Sequence, residues 1–145
     1  ALQVANDQRS GAEIVHGSEI CKQKSMDLLA EMGLPKGLLP LEDLEESGYV
    51  KETGFVWLKQ KKKTEHYFKK IGKMVQYGTE ITAYVEQNKM KKLTGVKSKE
   101  LLLWVTISEI SIDDPSSGKI YFKSVTGIGK SFPTSAFEIE ENGNK

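Results

Sequence analysis

From Tyr49 onward apolar residues recur at every second position, whereas upstream they fall at helical intervals. Ile81, Ala83 and Val85 alternate with Thr82, Tyr84 and Glu86, and Leu101, Leu103, Val105 and Ile107 alternate with Leu102, Trp104, Thr106 and Ser108. A period of two predicts strands that turn one face inward. Further strands are expected at 54–60, 66–71, 90–93, 119–123 and 135–139, separated by Gly78, Asn88, Gly95 and the run Asp113-Asp114-Pro115-Ser116-Ser117-Gly118. Such short separations leave no room for crossover helices, so neighbouring strands should pair antiparallel. The expected fold is mostly β, an antiparallel meander forming a partly closed barrel or sandwich, preceded by an N-terminal α-helical segment.

The helical segment is expected at 18–32. Ser18 is a candidate N-cap, Glu19 suits the positive end of the helix dipole, and Gly33 with Pro35 stops the helix. Ile20, Cys21, Leu28, Leu29 and Met32 cover one face, interrupted by Lys24 and Ser25, a pattern for a helix laid on a sheet. A second short helix is predicted at 41–47, because Pro40 stands before it, Glu42 and Asp43 fall in its first turn, and Gly48 suits the position after its end. Ser10-Gly11-Ala12-Glu13 matches a capping box and opens either a helix or a turn. One β-rich domain with its helix is expected over 18–139, with 1–17 poorly specified and 140–145 a solvated tail.

Composition narrows the function classes. At 145 residues the chain is sized for one core. Lys and Arg number 21 against 20 acidic residues, a net charge of +1, so no global field steers the chain to nucleic acid or membrane, and electrostatic recognition must be local. Cys21 is the single cysteine and forms no internal disulfide, and no apolar run approaches the roughly 20 residues of a membrane-spanning helix. No basic stretch followed by an apolar one opens the chain. The simplest expectation is a cytoplasmic monomer.

Chemistry-bearing motifs are sparse. His16 and His66 are the imidazole bases, neither sits in a catalytic motif, and no Gly-x-Ser-x-Gly elbow occurs. One Cys and two separated His make no zinc cluster, while Asp113 and Asp114 read as turn chemistry rather than a calcium loop. The segment 124–131, Ser-Val-Thr-Gly-Ile-Gly-Lys-Ser, approaches a phosphate-binding loop but has Ser124 where the first glycine belongs. Phe132-Pro133 follows where a helix must start. It reads as a glycine-rich hairpin turn. No catalytic residue, metal or cofactor is expected.

Gly33-Leu34-Pro35-Lys36-Gly37-Leu38-Leu39-Pro40, followed by Gly48-Tyr49 and Thr53-Gly54-Phe55-Val56-Trp57-Leu58, resembles a plant family catalogued as domain of unknown function 538. Leu93-Thr94-Gly95-Val96-Lys97 and the segment 99–105 fit it as well, so the resemblance covers 26–137. It implies a mostly β fold after an N-terminal helix. Members have been likened to lipid-binding, bactericidal-permeability-type domains, and a weak ester-hydrolase activity is attributed to some. No catalytic residue carries over.

Two regions are candidates for contact with a ligand or surface. Lys59, Lys61, Lys62 and Lys63, joined by Lys69, Lys70 and Lys73 and opposed by Glu65, form the most one-sided charge block. Beside Trp57 and Tyr67 they suit anionic headgroups at about 1 kcal/mol per cation. They equally suit a solvated strand edge that discourages aggregation. Leu38 and Leu39, in the rigid loop between Pro35 and Pro40, either line the entrance of an apolar cavity or plug the end of a barrel. The function expected is a non-enzymatic binding module for an amphipathic lipid-like ligand or an anionic membrane surface. The alternatives are a weak ester hydrolase and a protein-interaction domain anchored by an exposed Trp57 or Trp104. Nucleic acid is disfavoured as a partner.

Overall fold

The spine of the molecule is a 14-residue strand that carries partners along both edges. In the computed structural model, which describes residues 9–138, the elements in chain order are β1 (Glu13–His16), α1 (Ser18–Glu31), β2 (Leu44–Val50), β3 (Phe55–Gln60), β4 (Thr64–Phe68), β5 (Lys73–Glu86), β6 (Lys89–Glu100), β7 (Leu103–Ser111), β8 (Lys119–Ser124) and β9 (Gly129–Pro133). Short 3-10 turns lie at Lys36–Leu38, Pro115–Ser117 and Thr134–Phe137. The described strands form one antiparallel sheet in the order β1-β2-β3-β5-β6-β7-β8-β9, and β4 pairs with β5 beyond the end of β3. The sheet does not close. The mostly β antiparallel fold with one N-terminal helix agrees with the sequence reading, and α1 enters after β1 rather than before every strand.

β5 explains the shape. Residues 80–84 of it pair with β3 and residues 73–77 with β4, so β3 and β4 follow one another along the same edge, interrupted by 61–63. The Gln60 side chain holds this interruption, its amide donating to the carbonyls of Tyr77 at 3.0 Å and Gly78 at 2.8 Å. On the other edge the β5–β6 register shifts between Tyr77 and Thr82. Gly95 makes that bulge possible: its φ is +83°, and a Cβ there would stand 2.3 Å from the Glu80 carbonyl oxygen. Gly78 and Gly95, expected to separate strands, instead lie inside β5 and β6 at this bulge. The turn between these strands falls at Gln87 and Asn88, and the strand expected at 90–93 continues to Glu100.

α1 covers the inner face near β2 by burying Cys21, Ser25 and Leu29, a stripe at i, i+4 and i+8. Ser25 belongs to that stripe rather than interrupting it, because its hydroxyl donates to the Lys22 carbonyl at 2.9 Å and arrives satisfied. The start is capped differently from the reading above: Gly17 takes the cap position with no side-chain bond, and Ser18 is the first helical residue. The end follows it: Leu34 N–H bonds Leu29 C=O at 2.8 Å and Gly33 N–H bonds Ala30 C=O at 3.0 Å, the paired bonds of a Schellman motif. Ser10 and Gly11 form a turn into β1, not a helix.

The helix predicted at 41–47 does not form. Leu44 opens β2, which pairs with β1 on one edge and β3 on the other, and ladder bonds on two edges outweigh local helix-start signals. Gly48 is not a helix stop but a floor for an aromatic ring, since a Cβ there would meet Trp57 Cη2 and Cζ2 at 2.3 Å. Two further corrections fall in the C-terminal half. Residues expected to extend to 135–139 as a strand form the 3-10 turn Thr134–Phe137 as far as described, and β9 precedes it, unforeseen. The run 101–103, expected to alternate in and out, sits at a hairpin tip with Leu101 94%, Leu102 89% and Leu103 71% exposed. The expected solvated tail lies outside the described residues.

The main core lies on the inner face, from Leu29 and Leu58 through Ile81, Val96 and Ile110 to Ile120 and Phe137. A second cluster of Val50, Phe55 and Trp57 occupies the outer face of β2 and β3, with Ala12 and Tyr84 packed against it.

Candidate functional site

α1 covers the inner face over β1 to β3, and among the described residues no comparable helix covers it over β5 to β9. An open cavity of about 580 Å³ results there. Val75 on β5, Ile107 on β7 and Phe122 on β8 point into it because each holds an inward position of its strand. Phe137 closes the floor from the Thr134–Phe137 turn, its ring 5.1 Å from that of Phe122 and 4.8 Å from that of Phe68, with Phe132 at 6.4 Å. Ser98 and Ser124 also line the cavity and are buried. Small side chains at inward positions near strand ends leave the space that a leucine would fill.

The mouth is polar and charged. Glu100 Oε1 accepts from Lys73 Nζ at 2.7 Å and from Lys130 Nζ at 2.8 Å, while Ser98 Oγ donates to Oε2 at 3.2 Å. Glu100 ends β6 and Lys130 lies on β9, three places away in the sheet order, so this bond spans the opening instead of following a ladder. Burial by itself raises the Glu100 pKa, but hydrogen bonds from Lys130 and Lys73 outweigh it and hold the carboxyl below its ordinary range. Two ammonium groups share one carboxylate, which leaves the mouth net positive. The arrangement is an apolar pocket with a cationic rim, suited to a molecule with an apolar body and an anionic head.

The contact residues expected from the sequence fall elsewhere. Trp57 is 1% exposed: its indole N–H donates to Glu46 Oε2 at 2.7 Å, and the Arg9 guanidinium stands 4.4 Å over its ring. It offers no face to a surface, and the protein-interaction reading loses Trp57 as an anchor. Lys59 faces Glu46 at 3.9 Å. Lys61, Lys62 and Lys63 are exposed at the β3–β4 interruption, roughly 17 Å of strand away from Lys69 and Lys70 at the other end of β4. Lys73 alone of that block reaches the cavity mouth. The block is therefore several separate groups, not one patch. Leu38 is buried and its carbonyl accepts from the buried Tyr77 hydroxyl at 3.0 Å, so it plugs the core. Leu39 is half-buried over a space of about 20 Å³, too small to admit a ligand.

Glu100, Ser98, Phe122 and Phe137 were not singled out from the sequence as site residues, and Lys130 entered only through the rejected phosphate-loop likeness at 124–131. The available signal was the two serines at inward strand positions. Other sequence motifs stand as turns and core: 125–128 is the turn of the β8–β9 hairpin, Asp114 Oδ1 accepts from Ser116 N at 3.1 Å, and Cys21 is fully buried. His16 Nε2 faces Glu46 Oε1 at 3.1 Å, and the His66 ring packs 4.5 Å from Phe68, its pKa lowered by desolvation. Among the described residues neither imidazole is hydrogen-bonded to a hydroxyl or thiol. No described group of His, Cys, Asp and Glu is arranged to hold a metal ion, and no described helix is long and apolar enough to cross a membrane.

The pocketed antiparallel sheet with one N-terminal helix carries a family assignment. The chain matches, over residues 25–138, the family described as "Protein of unknown function, DUF538", and it belongs to that family. An uncharacterized protein of Arabidopsis thaliana is 29% identical over 117 residues, which is 81% of this chain and 64% of the relative. The chain thus spans a little under two thirds of that relative's length. No solved structure matches it.

Proposed function

We propose that this domain is a non-enzymatic binding module for an amphipathic ligand with an apolar chain and an anionic head. The cavity between β5 and β9 carries the reading: its volume of about 580 Å³ is in the range of small-molecule sites, and its walls are aliphatic and aromatic. The chain of the ligand packs against Val75, Ile107, Phe122 and Phe132. Its head meets Lys73 and Lys130, taking a place beside Glu100 or displacing it. A charged head is bound at the mouth rather than inside because an ion in the apolar floor would lose its hydration uncompensated. The ester-hydrolase reading has no comparable support, since His16 faces a carboxylate and His66 a phenyl ring.

The test is titration with a fluorescent long-chain fatty acid, after native mass spectrometry of the gently purified protein. Wild type should bind and should release the probe to unlabelled fatty acid. Val105→Trp, on the cavity wall, should abolish binding, and Lys73→Ala with Lys130→Ala should weaken it about tenfold or more through loss of charge-assisted bonds. Binding that survives Val105→Trp in a folded protein places the ligand elsewhere and ends this reading.

A further inference from the structure

The hairpin turns beside the cavity mouth carry exposed apolar side chains where turns usually carry polar ones. Leu101, Leu102 and Leu103 are joined by Ile128, 73% exposed, and Val125, 63% exposed, in the β8–β9 turn. Both turns lie at one end of the sheet, because Val125 N–H donates to the Thr106 carbonyl at 3.0 Å, close to where β7 begins. The β4–β5 turn, with Lys69 and Lys70, ends there too: Val75 pairs with Ser98, two residues before Glu100. Leu101 also has φ +57°, in a two-residue turn whose first central position favours glycine. A bulky residue held in that region, fully solvated, serves neither the turn nor the core.

From these tips we infer that this end of the domain docks on a lipid bilayer bearing anionic headgroups. The leucine tip and Ile128 enter the acyl region, and Lys69, Lys70, Lys99 and Lys130 on the same strand ends meet the phosphates. Trp104 is half-exposed on β7 one residue behind the tip, with Lys99 Nζ 5.7 Å from its ring, which places an indole and an ammonium at headgroup depth. The charge distinguishes this occupant from a second copy of the chain, whose identical lysines would repel. The docking surface shares its end with the proposed ligand site but rests on the exposed tips, so either stands without the other.

Co-sedimentation with phosphatidylcholine vesicles, with and without phosphatidylserine, tests it on the full chain. Wild type should partition onto the anionic vesicles, less so at high salt, with a blue shift of tryptophan emission from Trp104, since Trp57 is already buried. The Leu102→Ser, Leu103→Ser variant should lose about tenfold per leucine in partition. Its melting temperature and its fatty-acid titration should stay unchanged, because those side chains touch neither core nor cavity floor. Lys69→Ala with Lys99→Ala should lower binding several-fold and flatten the salt dependence. Wild type that ignores anionic vesicles, equal partition of wild type and the leucine variant, or a leucine-dependent dimer in place of vesicle binding each overturns the inference. A fatty acid bound normally in any of those cases leaves the cavity reading intact.

Discussion

The two halves of the sheet treat the same apolar inner face differently. Over β1 to β3 a helix lies on it: α1 lays Cys21, Ser25 and Leu29 on the sheet and leaves an open groove of about 470 Å³ whose lining includes the charged Glu13, Lys24, Asp27, Glu31 and Lys51. The outer face there is filled by Trp57 against Gly48. Over β5 to β9 Leu38, whose carbonyl accepts from the Tyr77 hydroxyl, and Phe137 pack on the inner face, which opens into the larger cavity under a bridge from Lys130 to Glu100. The two openings differ in lining: the one beside α1 is rimmed by both signs of charge, and the one over β5 to β9 is walled by aliphatic and aromatic side chains. Both halves bury serines, Ser25 and Ser47 in the first and Ser98 and Ser124 in the second, and the second adds an ion pair that spans its opening.

The largest test of this contrast is truncation on each side. Leu29→Ala removes a side chain packed all round and should cost about 3 kcal/mol. Ile107→Ala, about as buried but facing the cavity, should cost roughly half of that, because one of its sides already lacks partner atoms. Urea midpoints compare the two, and equal costs would mean that the cavity is packed in solution. Next, Gly48→Ala should cost about 1–3 kcal/mol by pushing the Trp57 ring off its floor. Its signature is a red shift of tryptophan emission as the indole loses burial and its bond to Glu46. In the half over β5 to β9 the sign reverses: Leu101→Asn, better tolerated at positive φ, should stabilise by about 1 kcal/mol in thermal melts.

The smallest effect is that of pH on the bridge. Glu100 has a lowered pKa in the folded protein, so it contributes stability above the ordinary carboxylate value of 4.5, and that contribution is lost as pH falls through its folded pKa. The group is partly solvated, so the gain stays under about 1 kcal/mol. Wild type should exceed Glu100→Gln in urea midpoint at pH 7, and the gap should close in acid. Glu46 has a lowered pKa as well, chiefly from the Trp57 indole bond, and it acts in the same direction in the helix-covered half. Comparing Glu46→Gln with Glu100→Gln separates the two contributions.

Much of the fold was legible along the chain. Period two announced the strands, and Gly33 with Pro35 ended α1, because these are local backbone preferences that neighbours did not override. The sequence also carried the family signature around Leu34, Pro35, Leu38 and Pro40. β2 was misread because its decisive interactions are the ladders to β1 and β3, which no local window contains. Trp57 was misread because an aromatic beside lysines looks like a surface contact until the glycine beneath it, nine residues upstream, is placed opposite it by register. The lysine block dissolved for the same reason: residues near in sequence were carried to opposite ends of β4.

By itself, then, the sequence determined the strand-rich class, the helix and its stop, the turns at Asn88 and Asp114, and an apolar run at 101–103 whose composition was plain. Tertiary structure alone decided which face of the sheet α1 covers, that Lys73, Glu100 and Lys130 meet across a mouth, and that the leucines stand at its rim. The first group depends on torsional preference and periodicity, which act over a few residues. The second depends on register, which sets Val75 opposite Ser98 and so brings Lys73 beside Glu100, and on the course of the sheet, which carries Lys130 to the same carboxylate.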